Sequence, residues 1–386
     1  MEWIVKRSSE LYVSSSGLSK ASDQFGYGFP FLSYKDVFNN YYAPEKLNTL
    51  VNSTEKDRQK CSVKRGDVFL TRTSETTDEL GMSCVALKDY ENATFNGFTK
   101  RLRPLTEEIV PEYAAYFFRS SYFRAQCQSL ASLITRASLN DGMIRRFKIR
   151  FPKEKKCQEK IGKILLTYDS LIENNTKCIR LLEKMAENLY KEWFVRFRFP
   201  GHENVKMVNG LPNGWKKGAL SDVCEFKRGK NITSSEMKDG TIPVISAGIT
   251  PSGFHSHANV YGISVTMSSS GANAGYIAVH YSDIWAADCS YIEEASTPYI
   301  YYVYELLNNI RSIINNFQRG AAQPHVYPKD INRIKMIIPS EDIRKKANEK
   351  IWVIHRQIDN LQRQNSLLAR QRDLLLPRLM SGKLEV

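Results

Sequence analysis

Several short stretches of the chain set cationic side chains beside Gly, Ser or Thr turns: Thr71-Arg72-Thr73-Ser74, Lys100-Arg101-Leu102-Arg103, Lys227-Arg228-Gly229-Lys230-Asn231 and Gln318-Arg319-Gly320-Ala321-Ala322-Gln323-Pro324-His325. Loops of this kind reach phosphates with long cationic side chains, and Arg, Asn, Gln, Ser and Thr are also the side chains that read base edges. The candidate DNA contacts are Arg72, Thr73, Lys100, Arg101, Lys227, Arg228, Lys230, Asn231 and Arg319 with Gln323. Arg136 joins them from residues 131–138, which match the last loop in position, as do Ser269 and Asn273 from the run VTMSSSGANAGYIAV. Taken alone, each cluster reads equally well as a solvated face.

Charge favours the functional reading. Lys and Arg number 55 against 41 Asp and Glu, a net +14, and a surplus of that size suits a polyanionic partner such as double-stranded DNA. Catalytic signatures are missing: there is no GxxxxGK[ST], no GxGxxG after a strand, no HExxH and no DPPY or NPP[YF]. His255, His257, His280 and Asp288 could gather at a metal, but an isolated HxH is a weak signal and no metal is assigned. The seven cysteines are scattered without a CxxC pair, and no run of 18 apolar residues or secretory leader stands out. Reduced thiols, a cytoplasmic location, no membrane partner and no cofactor in this chain are therefore expected.

The elements that must carry these loops are written twice. Trp3 and Trp215 lie 212 residues apart, Gly17 falls on Gly229 with the same offset, and Phe29-Pro30-Phe31-Leu32-Ser33 falls on Ile242-Pro243-Val244-Ile245-Ser246. Thr71 and Gly81 can be laid on Thr266 and Gly275, which gives the first copy an extra segment around Lys35 to Asp67, expected as a surface loop. Pro111 and Pro152 fall on Pro298 and Pro339 at a common offset of 187. Each copy then reads as short β-like runs, a Pro-started helical pattern (Glu112 to Leu130, Tyr299 to Phe317), a strand ending in Pro, and a long helix.

In the first long helix, steps of three and four pass through Ile161, Ile164, Tyr168, Leu171, Asn175, Cys178, Leu182, Met185 and Leu189. In the second they pass through Ile351, Ile354, Ile358, Leu361, Asn365, Leu368, Arg372 and Leu375. These are coiled-coil seams, and Asn175 and Asn365 at matching positions can fix register. Arg372 weakens the second seam, and Pro377 should stop or kink that helix near Leu376, leaving the last residues to fold back as a tail. Packed antiparallel, the helices would hold two heads apart as a divided DNA site requires.

LPNGWKKGALSDVCEFKRGK, IPVISAGI, VTMSSSGANAGYIAV and RGAAQPHVYPKDINRIKMIIP, with AENLYKEWFVRFRFPG and LLLPRLMSGKLEV at the helix ends, resemble the specificity subunits of type I restriction-modification systems over essentially the whole chain. The first copy departs from that pattern: it starts at MEW, and LTRTSETTDELG replaces the Gly-rich form. The resemblance implies an α+β protein in which two α/β target recognition domains are separated by two long helices forming an antiparallel coiled coil, with internal pseudo-two-fold duplication. It puts the first recognition domain at 1–152, a conserved helix at 153–195, a linker at 196–210, the second recognition domain at 211–339, and the second helix and tail at 340–386. It also implies a non-catalytic chain reading a split, asymmetric DNA target. Chemistry would belong to partners: two modification subunits using S-adenosylmethionine and restriction subunits using ATP. The rival reading is a basic coiled-coil scaffold without sequence-specific DNA binding; another is a stand-alone nuclease with a dispersed active site.

Overall fold

The computed structural model describes residues 2–130, 132–133, 137–320 and 324–386. It divides into two compact units, one of Met1–Glu173 with Asn365–Val386 and one of Asn174–Gln364. Each unit holds a mixed α/β part together with a stretch of both long helices, α1 (Lys155–Tyr190) and α2 (Glu341–Ser381).

The main strands of the first unit are β1 (Trp3–Arg7), β2 (Tyr12–Ser16), β3 (Phe25–Leu32), β4 (Thr49–Val51), β5 (Val68–Thr71), β6 (Ser83–Val85), β7 (Thr94–Phe95), β8 (Thr99–Pro104) and β9 (Lys148–Pro152). Those of the second are β10 (Lys216–Ala219), β11 (Lys227–Arg228), β12 (Ile242–Ile245), β13 (Gly253–His255), β14 (Ser264–Ser268), β15 (Ile277–His280), β16 (Trp285–Ala286), β17 (Cys289–Glu293) and β18 (Lys335–Ile338). The first unit orders its main sheet β2-β8-β5-β6 and the second β11-β17-β14-β15. The smaller sheets are β4-β3-β7 and β13-β12-β16, each with one antiparallel and one parallel pair, and the terminal pairs are β1-β9 and β10-β18. One plan is thus built twice, as the repeat requires.

The anchors acquire physical reasons. A Cβ on Gly17 would come within 2.3 Å of the Asn96 carbonyl oxygen and one on Gly229 within 2.4 Å of that of Ala287, so both copies need glycine where the chain crosses a neighbouring strand. Leu32 and Ile245 occupy equivalent positions beside Phe95 and Ala286. One anchor shifts. The Thr71 carbonyl accepts the Gly81 N–H (3.0 Å), and the same bond is made to Gly275 by Ser268 (2.9 Å), so Thr71 corresponds to Ser268 and not to Thr266. The extra segment of the first copy is also not a surface loop. It contributes β4, two capped short helices (Tyr34–Asn39, Glu55–Lys60) and a core of its own in which Val37, Leu47, Val51 and Val63 are buried beside Phe31 and Phe69. Enough apolar side chains fall inside it to offset the entropy of ordering it.

The helical patterns break once each, into Pro111–Phe117 and Ser121–Leu130 in the first unit and Ile300–Asn309 and Arg311–Asn315 in the second. Along α1 the buried or half-buried line runs Ile161, Leu165, Tyr168, Ile172, Asn175, Ile179, Leu182, Ala186 and Leu189, while Leu171 and Met185 are exposed. Two expected seam positions thus move by one residue, from Leu171 to Ile172 and from Met185 to Ala186, while Ile164 and Cys178 stay half-buried beside Leu165 and Ile179. Along α2 the expected positions hold, with Ile351, Ile354 and Ile358 buried. Within each unit the two helices run antiparallel: Asp169 meets Arg372 in the first, and Asn175 donates to Gln364 (3.4 Å) in the second.

Two expectations at the end of α2 are overturned. Arg372 does not weaken its seam, because it is paired with Asp169 and Asp373 and lies over the Tyr41 ring at 4.8 Å. Pro377 does not stop the helix, which continues to Ser381. The last turn stays helical because Leu376, Leu379 and Met380 are buried in the core of the first unit, a gain that outweighs the hydrogen bond Pro377 cannot donate. Gly382, at φ +74°, ends it against the indole of Trp3.

Candidate nucleic-acid interface

In the second unit three of the candidate loops converge at one end of the main sheet. β11 brings Lys227 and Arg228 alongside Tyr291 and Ser290. Arg228 pairs with Asp288 (3.1 Å), which accepts the Ser270 hydroxyl at 2.5 Å; Ser270 is bridged to His325, and His325 exchanges two backbone hydrogen bonds with Arg319 (2.8 and 2.9 Å). The Lys230 carbonyl accepts the Trp285 indole N–H (2.9 Å), which fixes the backbone from which Lys230 and Asn231 project as exposed side chains. Asn273, half-buried, sits in the Gly271–Asn273 turn, tied by Gly271 N–H to the Pro324 carbonyl (3.0 Å).

The side chains differ in what they can offer. Lys227, Arg228 and Arg319 are exposed and held by one carboxylate each, Glu293 (2.7 Å), Asp288 and Asp330 (2.8 Å). Surface pairs of this kind contribute about 0–1 kcal/mol, so phosphates can replace those carboxylates at little cost. Ser269 is buried, its hydroxyl 3.4 Å from that of Ser290, and supports the loop from within.

In the first unit the corresponding loops also meet. The Arg72 N–H donates to the Phe98 carbonyl (3.1 Å), the Arg72 carbonyl accepts the Leu139 N–H (2.9 Å), and Thr73 and Ser74 pair with Ser138 and Ala137. Arg72 and Thr73 are half-buried. Lys100 and Arg101 are not available surface cations: they are 6% and 7% exposed. Lys100 pairs with Asp141 (2.9 Å); Arg101 donates to the Ser62 carbonyl (2.7 Å) and lies over Phe95. They belong to β8, a central strand between β2 and β5, and each is packed into the unit by the partners named here and is not free on its surface. Arg136 and Gln323 lie outside the described residues.

Sequence reasoning missed a cleft of about 330 Å³ beside Thr73, lined by Tyr34, Ser74, Glu75, Glu79 and an exposed Phe98. Its signal in the sequence was an aromatic beside a turn glycine, Gly97-Phe98. The histidines of the second unit have separate duties: His255 accepts the Lys238 N–H (2.9 Å) and His280 bonds the Thr266 hydroxyl (2.8 Å). Among the described residues no three His, Cys, Asp or Glu side chains are placed to share a metal ion.

His280 gives the second unit a pH response. Burial pushes it from the usual 6.5 down to about 4. Between those values the unfolded chain binds the proton and the native state does not, so its contribution is complete above pH 6.5 and is lost as pH falls toward 4, by up to about 3 kcal/mol. Urea unfolding of the wild type and His280→Gln at pH 7 and pH 4.5 checks this; equal pH sensitivity of the two would remove His280 as the cause.

No helix of the described residues is long and apolar enough to cross a membrane. The chain is 25% identical to the type I restriction enzyme MjaIX specificity subunit of Methanocaldococcus jannaschii, over all of this chain and 94% of that one. It is 24% identical to a putative type I specificity subunit of Mycoplasma genitalium, over 83% of this chain and 84% of that one. Its fold is similar to that of a crystallised type I restriction-modification S subunit from M. genitalium, with a TM-score of 0.62 and 17% identity, covering 98% of this chain and 96% of that one. The sequence profile of the type I restriction modification DNA specificity domain matches residues 2–184 and 212–369, one span for each copy of the repeat, and the chain belongs to that family.

Proposed function

We propose that this chain is the non-catalytic DNA-recognition subunit of a type I restriction-modification complex, each unit reading one half of a split, asymmetric target. The observation that carries the reading is one sheet plan built twice with different residues on equivalent loops, Arg72-Thr73-Ser74 in one and Ser269-Ser270-Gly271 in the other. A shared sheet plan with different loops, which brings different side chains to the surface in each copy, gives two half-sites of different sequence. Arg72, Thr73, Lys227, Arg228, Lys230, Asn231, Asn273 and Arg319 are the described side chains we assign to this contact. The helices α1 and α2 dock two modification subunits, which use S-adenosylmethionine, and restriction subunits use ATP. This division of labour accords with the missing catalytic motifs.

Mapping methylated adenines genome-wide, with and without this chain, tests the reading. One bipartite motif should vanish on its deletion; an unchanged methylome would leave the scaffold reading. In the assembled complex, Lys227→Ala with Arg228→Ala should reduce the slope of log K against log salt by about one per lost phosphate contact. An unaltered slope takes both side chains off the DNA.

A further inference from the structure

We propose that the second unit carries a docking groove for an amphipathic helix of a partner protein, one whose apolar face is flanked by carboxylates. The groove encloses about 740 Å³ and lies away from the loops described above. Its floor is aromatic: Tyr190, Phe194 and Trp215 are all buried, with the Phe194 and Trp215 rings 6.0 Å apart. Its rim is apolar and wet, for Ile313 is 42% and Val195 52% exposed. Lys217 and Lys335 also line it, on neighbouring strands whose register sets Lys217 against Ile337 and Lys335 against Ala219. No carboxylate is among the lining residues.

The fold does not require this surface, and the first unit shows why. The register that sets Ile337 against Lys217 sets Arg150 against Val5, so the two positions are equivalent. Arg150 lies over the Trp3 ring at 4.5 Å and donates to the Ser381 carbonyl (3.3 Å). Ile313 corresponds, at the offset of 187, to Gln126, whose amide bonds both the N–H (2.7 Å) and the carbonyl (2.9 Å) of Lys148. In the first copy Arg150 and Gln126 thus occupy this face and are satisfied within the unit, with Val5 and Tyr122 exposed beside them; in the second the equivalent positions carry Ile337 and Ile313, and the face is open and edged by two lysines. An open groove edged by exposed apolar side chains fits a chain segment better than an enclosed small molecule, and two lysines in a lining that holds no carboxylate specify the sign of its flanks.

The test uses the full chain and a fluorescein-labelled synthetic helix of about 16 residues, with Leu and Phe at i, i+3, i+4 and i+7 and Glu on either side, against a twin with Lys in place of Glu. Anisotropy should show saturable binding of the acidic helix, with the twin weaker by about tenfold or more. Ile313→Asp, at an exposed position, should abolish that binding while leaving duplex-DNA binding unchanged, and Lys217→Glu with Lys335→Glu should invert the preference between the helices. Equal binding of the two helices, or binding that survives Ile313→Asp, overturns the proposal. So does displacement by dodecanoate in the absence of any charge preference between the helices, which would assign the groove to a small amphiphile.

Discussion

Replacing Asp169 with Ala is expected to destabilise the first unit by about 3–5 kcal/mol, the usual cost of removing one partner from a buried ion pair. Asp169 lies on α1, its side chain 10% exposed, and pairs with Arg372 on α2, 14% exposed. Its other oxygen accepts the Tyr116 hydroxyl at 2.6 Å. Burial, with the adjacent Asp169 carboxylate, pushes the Tyr116 phenol up, which keeps it a donor at any working pH. The Ala variant leaves that hydroxyl without its acceptor and Arg372 with Asp373 as its remaining carboxylate. Asp169→Leu combined with Arg372→Met should recover much of the loss, because apolar replacement of both partners removes the desolvation cost together with the attraction. Urea unfolding of the full chain, with hydrogen exchange to place the loss in the first unit, checks both variants. A loss below about 1 kcal/mol for Asp169→Ala would mean that the pair behaves as a surface one.

The same pair shows where the sequence could be read and where it could not. Trp3 and Trp215, Gly17 and Gly229, and the two Pro-ended strands were legible because each is fixed by backbone constraints that a residue type announces: a missing Cβ, a fixed φ, a large ring closing a terminal strand pair. Lys100 and Arg101 were not, since composition reports a charge without its direction, and successive residues of β8 point to opposite faces that are both covered, Lys100 meeting Asp141 and Arg101 meeting Ser62 and Phe95. The α1 seam was half legible. Leu165, Ile172, Ile179 and Ala186 are about as apolar as Ile164, Leu171, Cys178 and Met185, so two neighbouring lines satisfied the same spacing, and packing turned Leu171 and Met185 outward while keeping Ile164 and Cys178 half-buried. In α2 the corresponding neighbouring line passes through His355 and Gln362, so the apolar Ile354 and Leu361 marked the seam without that ambiguity. Arg372 read as a defect because its partners come from α1 and from Tyr41, far away in sequence. The extra segment read as a loop because short helices and a three-residue strand carry little periodicity of their own.

That segment depends on one further residue, and Arg119→Met is expected to cost about 4 kcal/mol or more, since each buried carbonyl deprived of its donor costs about 1–3 kcal/mol. Arg119 stands in the turn between the two short helices of the first unit. Its guanidinium donates to the carbonyls of Val37 (2.9 Å), Phe38 (2.7 Å) and Asn40 (2.9 Å) at the end of the Tyr34–Asn39 helix, and to that of Ser83 (2.7 Å) on β6. It is therefore a cap supplied from another part of the chain: cationic, at the carbonyl end of a helix, and bound to the sheet that helix packs on. Burial pulls its pKa down to about 10, which leaves it charged at neutral pH. Met preserves the bulk and none of the donors, whereas Arg119→Lys keeps the charge but lacks the planar fork that spans four acceptors, so about half the loss should persist. Hydrogen exchange should show residues 34–61 losing protection first, with the second unit unaffected. If protection there is unchanged in Arg119→Met, the apolar core of the segment holds it without the cap.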